Sequence, residues 1–272
     1  MTAILGLNCL DSILMLADTE ESLGRDAKSE CDKLFRFPFP VKSPTANTGT
    51  ILTGGAGDTH LIEYVNQKLT RLFSKGITPK TDLFTTLDSF ARECFEDSMR
   101  GYQGSQLEPP TMEMLIAISI RPQTWLFHWS GNSVILIPAY VHTAIGGGIT
   151  QLHPMLRDIQ FSGTTESMLF LGVRMMRHAK RTVNGVGGKT EAVALFNDGA
   201  THFFGTTATQ KIEELGENLD YFINMEIYTS VFNVAGDVKD LDKNVKENLG
   251  RFPAIMGTYR EAYRKILTPS IG

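Results

Sequence analysis

Two strand-length apolar runs open this chain, Ala3 to Leu7 and Ser12 to Ala17, joined across Asn8 to Asp11, whose polar residues suit a turn. They read as a hairpin starting at the N-terminus. Strands that are apolar nearly throughout have no face to offer to water, so each face must be covered by another element. A second sheet on one side and helices on the other satisfy that demand.

The remaining pattern supplies those layers. A short run, Leu34 to Phe37, follows a polar loop, and another, Gly49 to Thr53, leads directly into a turn, Gly54-Gly55-Ala56-Gly57-Asp58. Helical spacing begins there: Leu61, Ile62, Val65, Leu69, Leu72 and Phe73 mark one buried face behind an Asp58 cap. A second stripe, Leu83, Phe84, Leu87, Phe90, Ala91, Cys94 and Phe95, is capped by Thr81. After a loop over 101–110, Met112 to Ile120, Thr124 to Trp129 and Val134 to Tyr140 form an antiparallel meander, turned at Arg121-Pro122 and Gly131-Asn132. Glu166 to Arg181 is helical, Glu191 to Phe196 and Thr201 to Phe204 pair around Asn197-Asp198-Gly199, and the chain is mostly helical from Thr209. The fold class expected is α+β, a four-layer α-β-β-α sandwich over residues 1–208. Residues 209–272 are expected as a C-terminal helical extension packed on that core or on a neighbouring subunit. At 272 residues and 42% hydrophobic, the chain can bury such a core.

Composition and motifs exclude several classes. A net charge of -4 gives no electrostatic reason to bind nucleic acid or an anionic membrane. Apolar stretches such as Met114 to Ile118 stop far short of the ~20 residues that cross a bilayer. The first residues lack the basic start of a secretory signal and are interrupted by Asn8 and Asp11. Three widely spaced cysteines, Cys9, Cys31 and Cys94, fit a reducing, cytoplasmic setting. Gly188-Lys189-Thr190 ends like a phosphate-binding loop, but Val183 occupies its required first glycine position and the segment runs from helix to strand. The six histidines show no ligand spacing, and Met168, Met175 and Met176 read as core or interface filler. No metal and no cofactor are expected.

Thr2 carries the chemistry. If Met1 is removed, one residue holds both a hydroxyl nucleophile and a free α-amine, which titrates near ~8 and can act as the hydroxyl's own base.

At this point the residues carry a resemblance. TAILGLNCLDSILMLADTE, residues 2–20, resembles the opening of proteasome β subunits and of bacterial proteasome-type threonine peptidases, the N-terminal nucleophile (Ntn) hydrolases. Cys31-Asp32-Lys33-Leu34-Phe35 resembles the family's lysine strand, and Thr53-Gly54-Gly55-Ala56-Gly57-Asp58 its glycine-rich turn. Weaker echoes lie in Ala144 to Gly148 and from Glu166 to Phe196, so the similarity spans about residues 2–205. It implies that Thr2 Oγ attacks the scissile carbonyl, Lys33 supplies fixed positive charge, Asp18 aims the lysine, and Gly54 offers its N–H to the oxyanion. It implies a primary pocket of Cys31, Phe35, Leu52 and Ala56, apolar and suited to a hydrophobic residue, with Glu21 and His60 near the same wall. An extended substrate, a peptide or unfolded protein, would pair with backbone at Ser22 and Gly54. A homo-oligomeric ring or helical chamber is implied too.

The chain departs from that pattern in the shell around the amine. Gly147 stands where active relatives place a serine, and Asn184 and Gly187 where they place an aspartate and a serine. Asn184 offers a neutral acceptor in compensation. Each motif also has a structural reading. Asp18 can end a strand, Lys33 can guard a sheet edge, and Gly54-Gly55 can admit a close helix. An inactive structural subunit and an Ntn amidase for a small substrate are the alternatives to the peptidase.

Overall fold

The hairpin expected from the first two apolar runs is present in the computed structural model, which describes residues 2–23, 27–42, 48–78, 82–100, 111–159, 161–232 and 254–267. β1 (Ala3–Asn8) pairs antiparallel with β2 (Ser12–Asp18), in the register Ile4↔Ala17 to Asn8↔Ile13, and every residue of both strands is buried. Later in the chain come β3 (Glu20–Leu23), β4 (Ala27–Glu30), β5 (Leu34–Pro40), β6 (Thr48–Gly57), α1 (Thr59–Ser74) and α2 (Leu83–Arg100). They are followed by β7 (Met112–Ile120), β8 (Gln123–Ser130), β9 (Ser133–Ile137), β10 (Thr143–Gly146), α3 (Ile149–Asp158) and α4 (Thr165–Thr182). The series ends with β11 (Thr190–Phe196), β12 (Thr201–Phe204) and α5 (Thr206–Phe232).

These strands make two five-stranded antiparallel sheets, ordered β10-β1-β2-β11-β12 and β5-β6-β7-β8-β9, plus the small hairpin β3-β4. The alternating faces of β1 and β2 explain their burial. Ile4, Ile13, Met15 and Ala17, with Val193 and Leu195, meet Leu34, Leu52, Leu115, Ala117 and Leu126 of the second sheet. The opposite face carries Leu7 and Leu16, against which α4 packs so closely that a Cβ on Gly172 would fall 2.8 Å from Leu16. On the outer side of the second sheet, Phe39, Ile51, Ile116 and Trp129 cluster with Val65, Leu69 and Phe73 of α1 and Leu87 and Phe90 of α2. The Phe39 and Phe73 rings lie 5.0 Å apart and the Phe90 and Trp129 rings 5.7 Å apart. Burying each such side chain contributes about 1.5–3 kcal/mol, which is why these apolar faces dictate the packing.

The chain forms two compact units, Met1–Thr206 and Thr207–Gly272. Where described, the second is helical, with α5 and a run over 254–267. Among the described residues no helix is long and apolar enough to cross a membrane.

Several local expectations need correction. The glycines at 54–57 do not form a turn; β6 runs through them to Gly57. Gly54 and Gly55 are there for space, since a Cβ on Gly54 would meet Leu34 at 2.8 Å and one on Gly55 would meet Ile62 of α1 at 2.7 Å. The α2 stripe is narrower than its periodicity suggests, with Phe84 43% and Phe95 36% exposed. Thr81 lies outside the described residues, and the Asp82 carboxylate accepts the Thr85 N–H at 3.2 Å in the capping geometry. The loop expected over 101–110 lies outside them as well. β9 stops at Ile137 before Pro138, which leaves Tyr140 exposed. β3, β4, β10 and α3 had no reading in the sequence: β3 and β4 are polar, β10 is four residues long, and α3 contains Pro154.

Asp58 caps α1 as expected, its carboxylate accepting the Leu61 N–H at 2.9 Å. Asp58→Ala should lower the unfolding free energy by about 1 kcal/mol, measured by urea denaturation. A change within error would show that the helix entry is held by other contacts.

Candidate active site

At the end of β2 the strand leaves the core with its one carboxylate fully buried. Asp18 is 0% exposed and accepts three donors: the Ala3 N–H at 2.8 Å and the Lys33 ammonium at 3.1 Å on Oδ1, and the Gly187 N–H at 3.2 Å on Oδ2. Lys33 is 7% exposed, and its ammonium also donates to the Glu20 carbonyl. A buried ion pair needs further hydrogen bonds to offset its desolvation, and here Asp18 takes two main-chain N–H groups and Lys33 a main-chain carbonyl. One carboxylate therefore ties together the residue following Thr2, the lysine strand and the loop before β11.

Thr2 precedes β1 and is half-buried. Its main chain is closely framed. Ala3 pairs with Gly146, and Gly146, at φ +85°, passes so near that a Cβ there would lie 2.2 Å from the Thr2 carbonyl oxygen. Only glycine fits both the left-handed backbone and that approach. The Gly146 N–H donates to Glu113 at 3.1 Å.

Thr2 and Lys33 line one cavity of about 1010 Å³, together with Cys31, Phe35, Ala56 and Gly147. Three of the four residues expected in the primary pocket are thus in its wall. Leu52 is not: it is 0% exposed in the core between the sheets. Gly54 also sits one residue short of the cavity, which Gly55, Ala56 and Gly57 line. Its Cβ position faces Met15 and Ile4, because alternate residues of β6 look to opposite faces. The ladder with β5 ends at the pair Leu34↔Gly54, whereas the ladder with β7 continues to Gly57↔Met112. Ser22 lies in β3, paired with Lys28. His60 is exposed, the Glu21 side chain lies outside the described residues, and Asp32, Glu63 and Glu113 bring acidic groups to the cavity wall.

The supporting shell divides in the same way. Gly187 touches Asp18 through its N–H, and a Cβ on it would reach the Glu20 carboxylate at 2.4 Å. Asn184, by contrast, is exposed in the turn after α4. The segment resembling a phosphate loop leads into β11, with the Lys189 N–H on Thr19 Oγ1 at 2.9 Å and its ammonium on Glu30 at 2.9 Å.

Sequence reasoning missed Glu191. Its Oε2 accepts the main-chain N–H groups of Lys33 at 3.1 Å and Leu34 at 3.2 Å. Burial pushes its carboxyl above the usual range, partly offset by those two hydrogen bonds. The available signal was an acidic residue at the head of an otherwise apolar strand, TEAVALF. Among the described residues, no three His, Cys, Asp or Glu side chains gather as a metal site.

No protein-family model matches the sequence, and no curated protein matches it. Solved structures do match the fold. Anbu (ancestral beta-subunit) from Yersinia bercovieri aligns with a TM-score of 0.63 at 14% identity, covering 82% of this chain and 96% of that one. The helical assembly of the Anbu complex from Pseudomonas aeruginosa gives a TM-score of 0.64 at 13% identity over 82% and 96% of the two chains. An Anbu (Gly-1) mutant from Hyphomicrobium sp. strain MC1 gives 0.63 at 13% identity over 83% and 97%. These neighbours correct the resemblance drawn from sequence: they are Anbu proteins, related to the proteasome but distinct from the bacterial proteasome-type peptidases. At such low identity the likeness establishes a fold shared with proteasome-related β subunits and nothing finer.

Proposed function

We propose that this chain is an N-terminal-threonine hydrolase of peptide or amide bonds, acting in the cytoplasm on a helix-sheet-sheet-helix sandwich of residues 1–208. The observation that carries this reading is the buried Asp18–Lys33 pair at 3.1 Å, tied through Asp18 to the residue after Thr2, with Thr2 and Lys33 on one cavity. Once Met1 is removed, the Thr2 amine, or a water beside it, takes the hydroxyl proton as Oγ attacks the carbonyl carbon. Lys33 stabilises the charge that develops on Oγ, and backbone N–H groups along the cavity edge of β6, from Gly55 to Gly57, stabilise the oxyanion. The leaving amine takes the proton and an ester to Thr2 forms, which water then hydrolyses. Beyond Gly54 the edge of β6 suits an extended substrate adding as a strand, with Ser22 on the other side. Cys31, Phe35 and Ala56 provide an apolar wall for its side chain.

We extend to this chain the association into assemblies that the Pseudomonas aeruginosa Anbu complex displays, with residues 209–272 serving packing or contact between copies. An inactive structural subunit is the second reading; the exposure of Asn184 and the absence of hydroxyls at Gly147 and Gly187 favour it.

Intact mass and N-terminal sequencing of protein made in cells test the first requirement, a free Thr2. Protein with that terminus is expected to hydrolyse fluorogenic peptides carrying an apolar residue before the cleaved bond, in a panel that also contains basic residues. Uniform retention of Met1 would sink the mechanism. Light scattering reports the assembly.

A further inference from the structure

Lys33 stands outside the ladder of its own sheet. β5 begins at Leu34, whose pairing with Gly54 is the last rung on that side, so no strand neighbour sets the Lys33 main chain. Both ends of the residue are instead held from the other sheet. The ammonium is held by Asp18 of β2, and the main-chain N–H by Glu191 of β11. β2 and β11 are adjacent, with the register Asp18↔Thr190 and Ala17↔Glu191. Ala17, Val193 and Leu195 face the gap between the sheets, so Glu191, two residues from Val193 on the same strand, faces it too. Its carboxylate crosses that gap and takes two N–H groups on a single oxygen, those of Lys33 and Leu34.

We propose that Glu191 is a positioning residue for Lys33: it fixes the lysine's main chain to the sheet that carries Thr2, so that the ammonium and the Thr2 hydroxyl keep one relative placement. The proposal rests on the hydrolase reading above. Without Glu191, Asp18 still holds the charged tip, but the stem gains freedom at its root, and displacements of about 1 Å at a reacting centre cost on the order of 10²-fold in rate. Glu191 is not among the residues that line the cavity with Thr2. It acts through the main chain of Lys33 and Leu34, so the charge of its carboxylate matters less than the oxygen that accepts the two N–H groups.

The experiment compares kcat and KM of the full chain and its variants on a fluorogenic peptide, with melting curves to confirm folding. Glu191→Ala is expected to lower kcat about 10²-fold with little change in KM. Glu191→Gln keeps an oxygen at the same reach and should recover most of kcat. Glu191→Asp keeps the charge but falls one methylene short, and should behave like alanine; it carries the test if the alanine variant does not fold. A folded Glu191→Ala or Glu191→Asp with wild-type kcat overturns the proposal, as does a Gln variant no better than Ala. If Thr2→Ala hydrolyses the peptide as fast as the wild type, the hydrolase reading has failed and Glu191 has no lysine role to support. A wild type that depends on Thr2, beside indifferent Glu191 variants, removes the positioning role alone.

Discussion

Replacing Thr2 by alanine should abolish hydrolysis and leave the fold unchanged. Losing a nucleophile costs on the order of 10⁶-fold in kcat where the remaining machinery is intact, larger than any other single effect expected here. The fold should tolerate the change because Thr2 is held by main-chain contacts. The Ala3 N–H on Asp18, the pairing of Ala3 with Gly146 and the close fit of Gly146 to the Thr2 carbonyl all survive. Thr2→Ser keeps the hydroxyl and should keep activity. Hydrolysis rates on a fluorogenic peptide, set beside melting curves of the three proteins, give the answer. Activity that persists in a folded alanine variant would assign the reaction to another group.

The second large effect is expected at Asp18, in stability as well as in rate. Asp18→Ala removes the acceptor for the Ala3 N–H, the Gly187 N–H and the Lys33 ammonium at once. The lysine, 8% exposed at its side chain, is left as a buried cation whose remaining partner among the described residues is the Glu20 carbonyl. Breaking one side of a buried pair typically costs about 3–5 kcal/mol. Asp18→Asn keeps an oxygen in place and should lose less stability, yet it removes the charge that aims Lys33, so it should be as inactive as the alanine. Urea denaturation and kcat, measured on both variants, separate the two contributions. A loss below about 1 kcal/mol for alanine would show that Lys33 finds water when its partner leaves.

These residues also show how far the sequence could be read. Ala3 to Leu7 and Ser12 to Ala17 are apolar at nearly every position, and such strands have one solution, burial on both faces; they lie in the interior of the first sheet. Helices α1 and α4 were legible because their apolar residues recur at helical spacing, in α1 behind an Asp58 cap. β3 and β4 were not, since polar strands carry no period that separates them from loop.

By itself the sequence determined the hairpin and the helices, which follow from local composition and periodicity; Thr2 stood out as a hydroxyl beside a potential α-amine, and Asp18 and Lys33 became candidates only through the resemblance to proteasome β subunits. The tertiary structure decided which candidates meet. It joined Asp18 to Lys33 and Gly187, moved Leu52 into the core, set Gly54 behind Gly55, left Asn184 in solvent, and brought Glu191 across from another sheet to the lysine's main chain. The physical reason is that a hydrogen bond between residues more than 150 positions apart, such as that from Lys33 to Glu191, depends on how two sheets stack. Neither segment carries that register in its own residues.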